Sequence, residues 1–458
     1  MRTRLVDVAL GAFLVVGCAI AAWTFRQADY WSDGRSLVEL LGGGSWNYHN
    51  LLYLPTGHLL EALLRPFGTS TRTVLEILSV AATGLALAFT FAAARVQGIG
   101  RAAALCGTAV LAAAPTVWFY ATCVEVHPLQ LAASAGALLW FVRSADRGSL
   151  GRSALAPAFF FCILQSTHVS GVLCVPALFL LAFRGTGRWA WPRHVLLGLL
   201  VVALFAGLWY GLQGAQGPAQ RYAGQALRDL GTGWRPDFLW HELVVETGML
   251  YPMAFALLAV TWRRDVQAVL RPLPLALLVL VATFVPFALT FLVEERGAYY
   301  FWAVPALGLC ACRLLELMGS WKLPLAAALL GLHVYWGSEQ IRAWTEDYPG
   351  HEWVPTLEEE AGSGALVLTL YSHEWVAVQN HSGLEAVRPS DEALSVPERW
   401  AAALVKAVQI ARAGNRKVVI MRSLYELDYP SFDQAVEELV RRFGAPRPGR
   451  RPEYLVFE

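Results

Sequence analysis

Residues 74–120 read VLEILSVAATGLALAFTFAAARVQGIGRAAALCGTAVLAAAPTVWFY, two apolar runs joined by a short loop that contains Arg95 and Arg101. Most runs of this kind are long enough to cross a hydrocarbon core of roughly 30 Å as helices. The pattern recurs along most of the chain, at residues 6–25, 74–94, 102–120, 128–142, 195–212, 243–262, 273–293, 299–317 and 323–336. The sequence therefore predicts a mainly α-helical bundle that crosses a membrane many times.

The composition supports this class and argues against two others. With 56% hydrophobic residues, 16% charged residues and a mean hydropathy of +0.45, the chain is too apolar for an ordinary soluble protein. Its formal net charge of +1 gives no electrostatic basis for binding nucleic acid.

Basic residues occupy alternate loops, which sets the predicted topology. The arginines of these loops are Arg95, Arg101, Arg143, Arg147, Arg152, Arg184, Arg188, Arg193, Arg263, Arg264, Arg271 and Arg313. By the positive-inside rule these loops are cytoplasmic. Residues 153–183 join two basic loops, so we interpret them as a short hairpin that turns near His168. The total is then about eleven spans in a bacterial-type inner or plasma membrane, with the amino terminus cytoplasmic and the carboxyl terminus outside the cytoplasm.

The composition changes near residue 338, which predicts two domains. Residues 1–337 form the membrane domain and include a long first outer loop, residues 26–72. In that loop the apolar stretch at 51–67, interrupted by His58, Glu61 and Arg65, predicts a helix on the outer leaflet. Residues 338–458 predict a small extracytoplasmic α/β domain, with strands at 365–369, 417–421 and 454–457 and helices at 397–412 and 431–443.

Two acidic positions at the outer ends of the spans are candidates for chemistry. Asp33 follows the first span beside Trp31, and a carboxylate near an apolar boundary is suited to act as a general base. The simpler interpretation is a solvated loop aspartate. Glu125 and His127 are two residues apart before the fourth span and suit either a substrate hydroxyl or, as weak candidates, a metal. The alternative for this pair is a helix-capping carboxylate with an incidental histidine.

Histidines and one arginine add to the predicted outer site. His49, His58 and His168 fall on the outer side, and imidazoles suit phosphate and sugar hydroxyls. Arg296 precedes Tyr299 and Tyr300 at a span boundary, and its planar guanidinium matches a lipid phosphate. The alternative for this segment is a snorkelling arginine with an aromatic belt.

Together these segments resemble the GT-C superfamily of membrane glycosyltransferases, most closely its protein O-mannosyltransferase-like branch. The family's motifs look like Asp33 followed by His49, Tyr53 and Pro55; Glu125 and Val126 with His127 in place of a tyrosine; and Arg296, Tyr299, Tyr300 and Pro305. The first-loop motif of the family, Asp-x-Gly-Glu, reads Asp33, Gly34, Arg35, Ser36 here, so only the aspartate carries over.

The resemblance implies an enzyme that transfers a hexosyl or pentosyl group from a polyprenyl-phosphate-linked donor, on the outer face of the membrane and with inversion. Asp33 would be the general base, Arg296 with His127 or His168 would stabilise the departing phosphate, and Glu125 would hold sugar hydroxyls. No organic cofactor is implied, and a divalent metal is left open. The expected partners are membrane lipid, the donor, and a protein, lipid or glycan acceptor.

Two other functions stay open on the sequence. A transporter or flippase of lipid-linked substrates also places charges within a membrane domain, although here the charges gather at one face. A non-catalytic member that serves in binding or assembly is compatible with the altered motif at Arg35.

Overall fold

The computed structural model describes residues 2–27, 34–43, 52–146, 203, 240–264, 300–346, 350, 352–369, 372–387, 397–425 and 430–457. The chain divides into two compact units. The membrane unit comprises Met1–Arg26 and Ser36–Ile341, and the α/β unit comprises Gln27–Arg35 and Arg342–Glu458. The predicted hairpin at 153–183 and the predicted spans at 195–212 and 273–293 lie outside the described residues, so the total of about eleven spans stays a prediction.

Helices dominate the described part of the chain up to residue 346. They are α1 (Arg2–Thr24), α2 (Gly34–Gly42), α3 (Tyr53–Leu64), α4 (Thr71–Val96), α5 (Arg101–Ala113), α6 (Pro115–Ala121), α7 (His127–Asp146), α8 (Leu250–Arg264), α9 (Val304–Leu317) and α10 (Lys322–Glu346), with a π-helical turn at His241–Glu246. Among the described helices, Leu5–Thr24 and Thr71–Val96 are long and apolar enough to cross a membrane. The mainly helical bundle predicted from the apolar runs is confirmed.

The predicted span at 102–120 is broken in the structure. α5 ends at Ala113, α6 begins at Pro115, and the two axes differ by 69°. Proline lacks the N–H that would continue the helical hydrogen bonds, and it disfavours helical geometry in the residue before it. Ala114 accordingly has an extended conformation, with φ −56° and ψ 130°. The bent pair counts as a third candidate span if it is taken as one.

Small residues bring the helices of the membrane unit close together. A Cβ added at Gly107 in α5 would lie 2.6 Å from the backbone of Cys312 in α9, and one at Gly84 in α4 would lie 3.1 Å from Val15 in α1. Lipid tails are as apolar as leucine, so helices within a membrane associate through close packing of this kind rather than through the hydrophobic effect. α4 is the central element and packs against α1, α5, α7 and α9.

Two polar side chains join distant elements of the membrane unit. Asp7 in α1 accepts a hydrogen bond of 2.6 Å from Arg101 and lies 3.4 Å from Arg95, so it joins the start of α1 to the last turn of α4 and the first residue of α5. His333 in α10 accepts from the backbone N–H of Met249 at 2.9 Å, and its other ring nitrogen lies 3.1 Å from the carbonyl oxygen of Val110. These contacts satisfy polar groups where water is absent.

α3 is apolar on two sides. Tyr53, Leu54 and Gly57 are buried, whereas Leu59 and Leu63, on the other side, are both 63% exposed. With 12 residues the helix is about 18 Å long, which is too short to cross a bilayer. A helix is thus present where the apolar stretch at 51–67 predicts one, and its location on the outer leaflet stays a prediction.

The α/β unit is built around a five-stranded sheet with the order β2-β1-β3-β5-β4. Its elements are α11 (Val354–Ala361), β1 (Leu366–Leu368), α12 (Ser372–His381), β2 (Glu385–Val387), α13 (Pro397–Ala413), β3 (Val418–Met421), α14 (Arg422–Tyr425), α15 (Pro430–Phe443), β4 (Arg447–Pro448) and β5 (Tyr454–Phe457). β1 pairs in parallel with β2 and β3, and β5 is antiparallel to β3 and β4. The three strands and two helices predicted from the sequence are confirmed, whereas β2, β4, α11, α12 and α14 were not predicted.

Alternating side chains of the strands supply two apolar cores. Leu366, Leu368, Val418 and Ile420 pack with α13 and α15 in one core. The intervening residues, such as Val367 and Val419, pack with α11 and α12 in the other. Successive residues of a strand point to opposite faces, so helices cover both faces of the sheet.

Glu360, in α11, fixes the last hairpin of the chain. Its carboxylate accepts hydrogen bonds from Arg447 Nη1 at 2.7 Å, the backbone N–H of Arg450 at 2.8 Å and the Tyr454 hydroxyl at 2.9 Å. Burial by itself raises the pKa of this carboxyl, but the three donors and the charge of Arg447 outweigh burial and hold the pKa below its ordinary value. The carboxylate thereby ties α11 to β4 and β5.

We expect Glu360→Gln to lower the free energy of unfolding by about 1–3 kcal/mol, because the amide nitrogen cannot accept from these donors. The folded pKa is lowered, so this contribution is present above the ordinary value of 4.5 and is lost as the pH falls through the folded value. Thermal unfolding of the purified chain in detergent, at neutral and at acidic pH, measures both effects.

Glu359→Gln is the matched control. The Glu359 side chain is 74% exposed and the Glu360 side chain 6% exposed, so Glu359→Gln should change the free energy of unfolding by less than about 0.5 kcal/mol. Equal losses in the two variants would contradict the role given to Glu360.

Candidate functional site

Glu125 is held in place by its two neighbours in sequence. Val124 and Val126 are buried in an apolar cluster with Leu37, Leu41, Tyr53, Leu54, Val74, Leu75 and Leu78, which come from α2, α3 and α4. Glu125 is itself buried, and its Oε2 accepts a hydrogen bond of 2.8 Å from the backbone N–H of Val126. The carboxylate is therefore fixed between the end of α6 and the start of α7, where the sequence predicts a site.

Tyr53 of α3 is electrostatically coupled to Glu125. Burial raises the pKa of the Tyr53 phenol, and the charge of Glu125 raises it further. The phenol therefore stays protonated at any physiological pH. Tyr53 also packs with Val124 and Val126 in one apolar cluster, which links the first outer segment to the turn that carries Glu125.

His127 begins α7 and lies in a cluster of aromatic rings. Its ring centroid is 5.2 Å from that of Tyr120 in α6 and 6.0 Å from that of Phe301, with the Phe301 ring stacked at 29°. Tyr120 and Phe301 are themselves in edge-to-face contact at 5.4 Å. Such ring pairs add about 0.5–1.5 kcal/mol each beyond the area that they bury. The cluster joins α6, α7 and the segment that leads into α9.

The aromatic run before α9 faces protein. Tyr300, Phe301 and Trp302 are all buried, and the backbone N–H of Ala303 closes a turn by donating to the carbonyl of Tyr300 at 2.8 Å. A lipid-facing aromatic belt would leave these rings exposed, so that interpretation is wrong for Tyr300, Phe301 and Trp302. For Phe301 the reason is its ring contacts with Tyr120 and His127, which the sequence does not reveal.

His58 has a local partner. Its Nδ1 lies 3.6 Å from Oε2 of Glu61, one turn along α3, and Glu61 also accepts from the Thr71 hydroxyl at 3.2 Å. His58 is partly exposed, unlike Glu125 and His127. Its predicted role in substrate binding stays a prediction.

Five of the predicted site residues lie outside the described residues: Asp33, His49, His168, Arg296 and Tyr299. Within the described part of the chain, His127 follows the buried Glu125 by two residues and stacks on Phe301, the residue after Tyr300. The roles of all these residues stay predictions.

Glu76 is a charged residue that the sequence reasoning missed. This buried carboxylate accepts from Arg72 Nε at 2.8 Å and lies 3.5 Å from Arg26 Nη1. Arg26 and Arg72 are the two ends of the first outer loop, so Glu76 holds those ends together. The signal was present: a glutamate inside an apolar run, four residues after an arginine, is expected to pair with it.

The described residues offer little to a metal ion. No group of three or more histidine, cysteine, aspartate or glutamate side chains is clustered within them. Glu125 and His127 supply two donors at most, whereas tightly held zinc takes three or four protein ligands. Within the described residues, this pair is an incomplete set of ligands for zinc.

Comparison with known proteins identifies the fold. No family model and no curated protein matches the sequence. The crystal structure of ArnT from Cupriavidus metallidurans bound to undecaprenyl phosphate matches with a TM-score of 0.59 and 15% identity, over 98% of this chain and 97% of that chain.

Two structures of the oligosaccharyltransferase from Archaeoglobus fulgidus also match. The complex with Zn and sulfate gives a TM-score of 0.53 at 13% identity, over 93% of this chain and 70% of that chain. AglB in complex with an inhibitory peptide and a dolichol-phosphate gives 0.52 at 13% identity, over 94% and 72%. The chain therefore has the GT-C fold of these membrane proteins, as its motifs predict. The narrower O-mannosyltransferase-like branch stays a prediction.

We expect His127→Ala to destabilise the protein by about 2–5 kcal/mol, because it leaves a cavity between two rings. His127→Phe keeps the ring contacts and should cost less than about 1.5 kcal/mol. Unfolding of the purified variants in detergent tests this, with His58→Ala as the control at a more exposed site. An unchanged free energy of unfolding in His127→Ala would mean that the ring cluster does not organise this region.

Proposed function

We propose that this protein is a membrane glycosyltransferase that moves a sugar from a polyprenyl-phosphate-linked donor to an acceptor hydroxyl, with inversion at the anomeric carbon. The observation that carries the proposal is the match to a GT-C protein bound to undecaprenyl phosphate over 98% of this chain. The buried Glu125 and His127, at the position of a family motif, add to it.

The donor supplies two features that the chain is suited to bind. Its polyprenyl tail is apolar and fits the lipid that surrounds the membrane unit. Its phosphate is matched by the planar guanidinium of Arg296, which donates two parallel hydrogen bonds. His127 or His168 adds a further donor to the phosphate oxygens. Tyr299 and Tyr300 follow Arg296 in sequence and add hydroxyl donors.

The transfer step requires a base for the acceptor. Asp33 takes the proton of the acceptor hydroxyl while the acceptor oxygen attacks the anomeric carbon. The bond between that carbon and the phosphate oxygen breaks on the opposite side, so the configuration inverts. The electron pair leaves with the lipid phosphate, whose charge Arg296 stabilises. Protons and charge are balanced, and the step needs no redox partner.

Glu125 orients the sugar in this scheme. A fixed, buried carboxylate accepts hydrogen bonds from sugar hydroxyls in a defined direction. The sugar is thereby oriented before the reaction, which lowers the entropic cost of transfer. His49 and His58 contribute further contacts to the sugar or the acceptor from the first outer loop. The α/β unit binds the acceptor, which is a protein, a lipid or a glycan of the cell envelope.

The reaction takes place outside the cytoplasm in a bacterial-type inner or plasma membrane. The distribution of arginines among the loops supports this location. By the positive-inside rule it predicts that the amino terminus is in the cytoplasm and that residues 338–458 are outside it. A reaction on this side needs no nucleotide sugar, because the lipid carrier delivers the donor across the membrane.

We expect Asp33→Asn to preserve folding and donor binding and to lower transfer by a hundredfold or more, since positioned general bases contribute on the order of 10²–10⁴. Asparagine keeps the size and polarity of the side chain but does not accept the proton. The measurement is transfer of radiolabelled sugar from a polyprenyl-phosphate donor by the purified protein in lipid nanodiscs.

Asp29→Asn is the matched control, because Asp29 lies four residues earlier in the same loop. Its transfer rate should stay near that of the wild type. Loss of transfer in Asp29→Asn or Glu125→Gln, with Asp33→Asn active, would move the base to that residue. Full transfer activity of all three variants would rule out this mechanism. Absence of transfer by the wild-type protein would instead leave a lipid flippase or a binding protein as the function.

We expect Arg296→Lys to raise the KM for the donor and to lower kcat, because lysine is a point charge without the planar fork that matches phosphate. Arg271→Lys, in a predicted cytoplasmic loop, is the matched control and should leave both constants unchanged. Unchanged kinetics of Arg296→Lys across donor concentrations would identify Arg296 as a membrane-boundary anchor.

A further inference from the structure

Two arginines meet one buried carboxylate where α1 ends and α4 begins. Arg72 Nε donates a hydrogen bond of 2.8 Å to Oε1 of Glu76, and Arg26 Nη1 lies 3.5 Å from Oε2 of the same carboxylate. The Glu76 side chain is 5% exposed, compared with 45% for the Arg26 side chain. The carboxylate is therefore covered, and the positively charged side of this group is the accessible side.

Trp23 holds one face of the Arg26 guanidinium. The guanidinium carbon lies over the indole ring, 5.0 Å from its centroid, and the negative face of the ring stabilises this arrangement. The N–H donors of a guanidinium lie at its edge, so a contact through its face leaves them for an oxygen acceptor. Trp23 is itself exposed in the last turn of α1, a position at which tryptophans of membrane proteins lie at the level of the lipid headgroups.

The first turn of α4 adds positive charge beside this group. The helix has 26 residues and begins at Thr71, and its first turn contains Arg72 but no acidic residue. The N–H groups at the start of a helix carry a partial charge of roughly +0.5, which favours an anion and disfavours a cation. Arg72 therefore needs anions nearby. Glu76 is one, and an anion beside Arg26 would be stabilised by the same field.

An apolar stripe of α1 leads to Arg26. Phe13, Val16, Ile20 and Trp23 are exposed, and their spacing of three or four residues places them on one side of the helix. At 1.5 Å per residue the stripe is about 15 Å long, which is about half of a hydrocarbon core of roughly 30 Å. A lipid chain of one leaflet that lies along this stripe has its headgroup beside Arg26.

We propose that this group binds the phosphate of an anionic membrane lipid, with Arg26 as the main donor and the lipid chain along α1. The planar fork of arginine matches two phosphate oxygens, and the apolar stripe suits the rest of the molecule. Two kinds of lipid have this chemistry, a phospholipid such as phosphatidylglycerol and a polyprenyl phosphate. The inference does not depend on the transfer reaction or on the role of Arg296.

The opposite ends of α1 and α4 provide a matched control. Asp7 pairs there with Arg95 and Arg101, again one carboxylate for two arginines. The Asp7 side chain is 27% exposed, however, and an exposed carboxylate repels a phosphate. Arg95 also donates a hydrogen bond to the carbonyl oxygen of Ile99. This second group therefore has the same types of residue without the covered carboxylate.

The experiment counts the lipid molecules that each chain retains, by native mass spectrometry of the full-length protein in detergent. We expect saturable binding of phosphatidylglycerol to the wild type, and weaker binding of phosphatidylcholine, whose choline balances the phosphate. Arg26→Gln should weaken binding of phosphatidylglycerol about fivefold, because one basic residue near a membrane surface contributes an effect of this order. Arg101→Gln should change it by less than about twofold. The unfolding temperature in lipid-free detergent should stay close to that of the wild type in Arg26→Gln, which separates lipid binding from folding.

Competition identifies which lipid occupies the site. Undecaprenyl phosphate is added, at an equal concentration, to protein that carries phosphatidylglycerol. Displacement of one phosphatidylglycerol molecule identifies the polyprenyl phosphate as the preferred occupant, and retention identifies the phospholipid. In both cases binding of the preferred lipid must be weaker in Arg26→Gln.

Three results overturn the inference: unchanged binding of phosphatidylglycerol in Arg26→Gln, an equal loss in Arg101→Gln, or equal binding of phosphatidylglycerol and phosphatidylcholine. An equal loss in Arg101→Gln would mean that any arginine at a helix end attracts lipid to this extent. Transfer activity is not one of these measurements. Failure here therefore leaves the proposed function untouched, and normal transfer by Asp33→Asn leaves the lipid site untouched.

Discussion

An unpaired charge or a backbone group without a hydrogen bond is costly in the apolar core of a bilayer, and this constraint organises the described membrane unit. Each of its notable polar groups joins elements that are distant in sequence. Asp7 connects α1 to Arg95 at the end of α4 and to Arg101 at the start of α5. Glu76 connects the two ends of the first outer loop. His333 connects α10 to two backbone groups. Because a buried polar group without a partner is costly, these polar pairs hold the helices of the bundle together.

The candidate site is also held by contacts between segments that are distant in sequence. Glu125 is fixed by valines on both sides, and His127 is enclosed by rings from two other segments. In the proposed function, side chains that are already held in place need little rearrangement when substrate binds.

The apolar runs, the arginine-bearing loops and the short motifs were sufficient to predict the helical bundle, the α/β domain and the GT-C fold. Pro115 marks the break between α5 and α6, and it could have been recognised from the effect of proline on the preceding residue. The burial of Tyr300, Phe301 and Trp302 could not, since a run of aromatic residues has the same sequence whether it faces lipid or protein. β2 has only three residues, too few to show a clear alternation of apolar and polar side chains, so the sequence did not predict it. The guanidinium of Arg35 lies over the ring of Trp375, 5.1 Å from its centroid, and this contact depends on tertiary structure alone.

The pairing of Asp7 with Arg95 and Arg101 has a consequence for biogenesis. In α1, 11% of the apolar window is buried within the protein. During synthesis α1 enters the membrane before its partners have been translated, and its aspartate stays at the cytoplasmic boundary in the predicted topology. Arg101 follows Asp7 by 94 residues, so this ion pair forms only after α4 and the start of α5 have been synthesised.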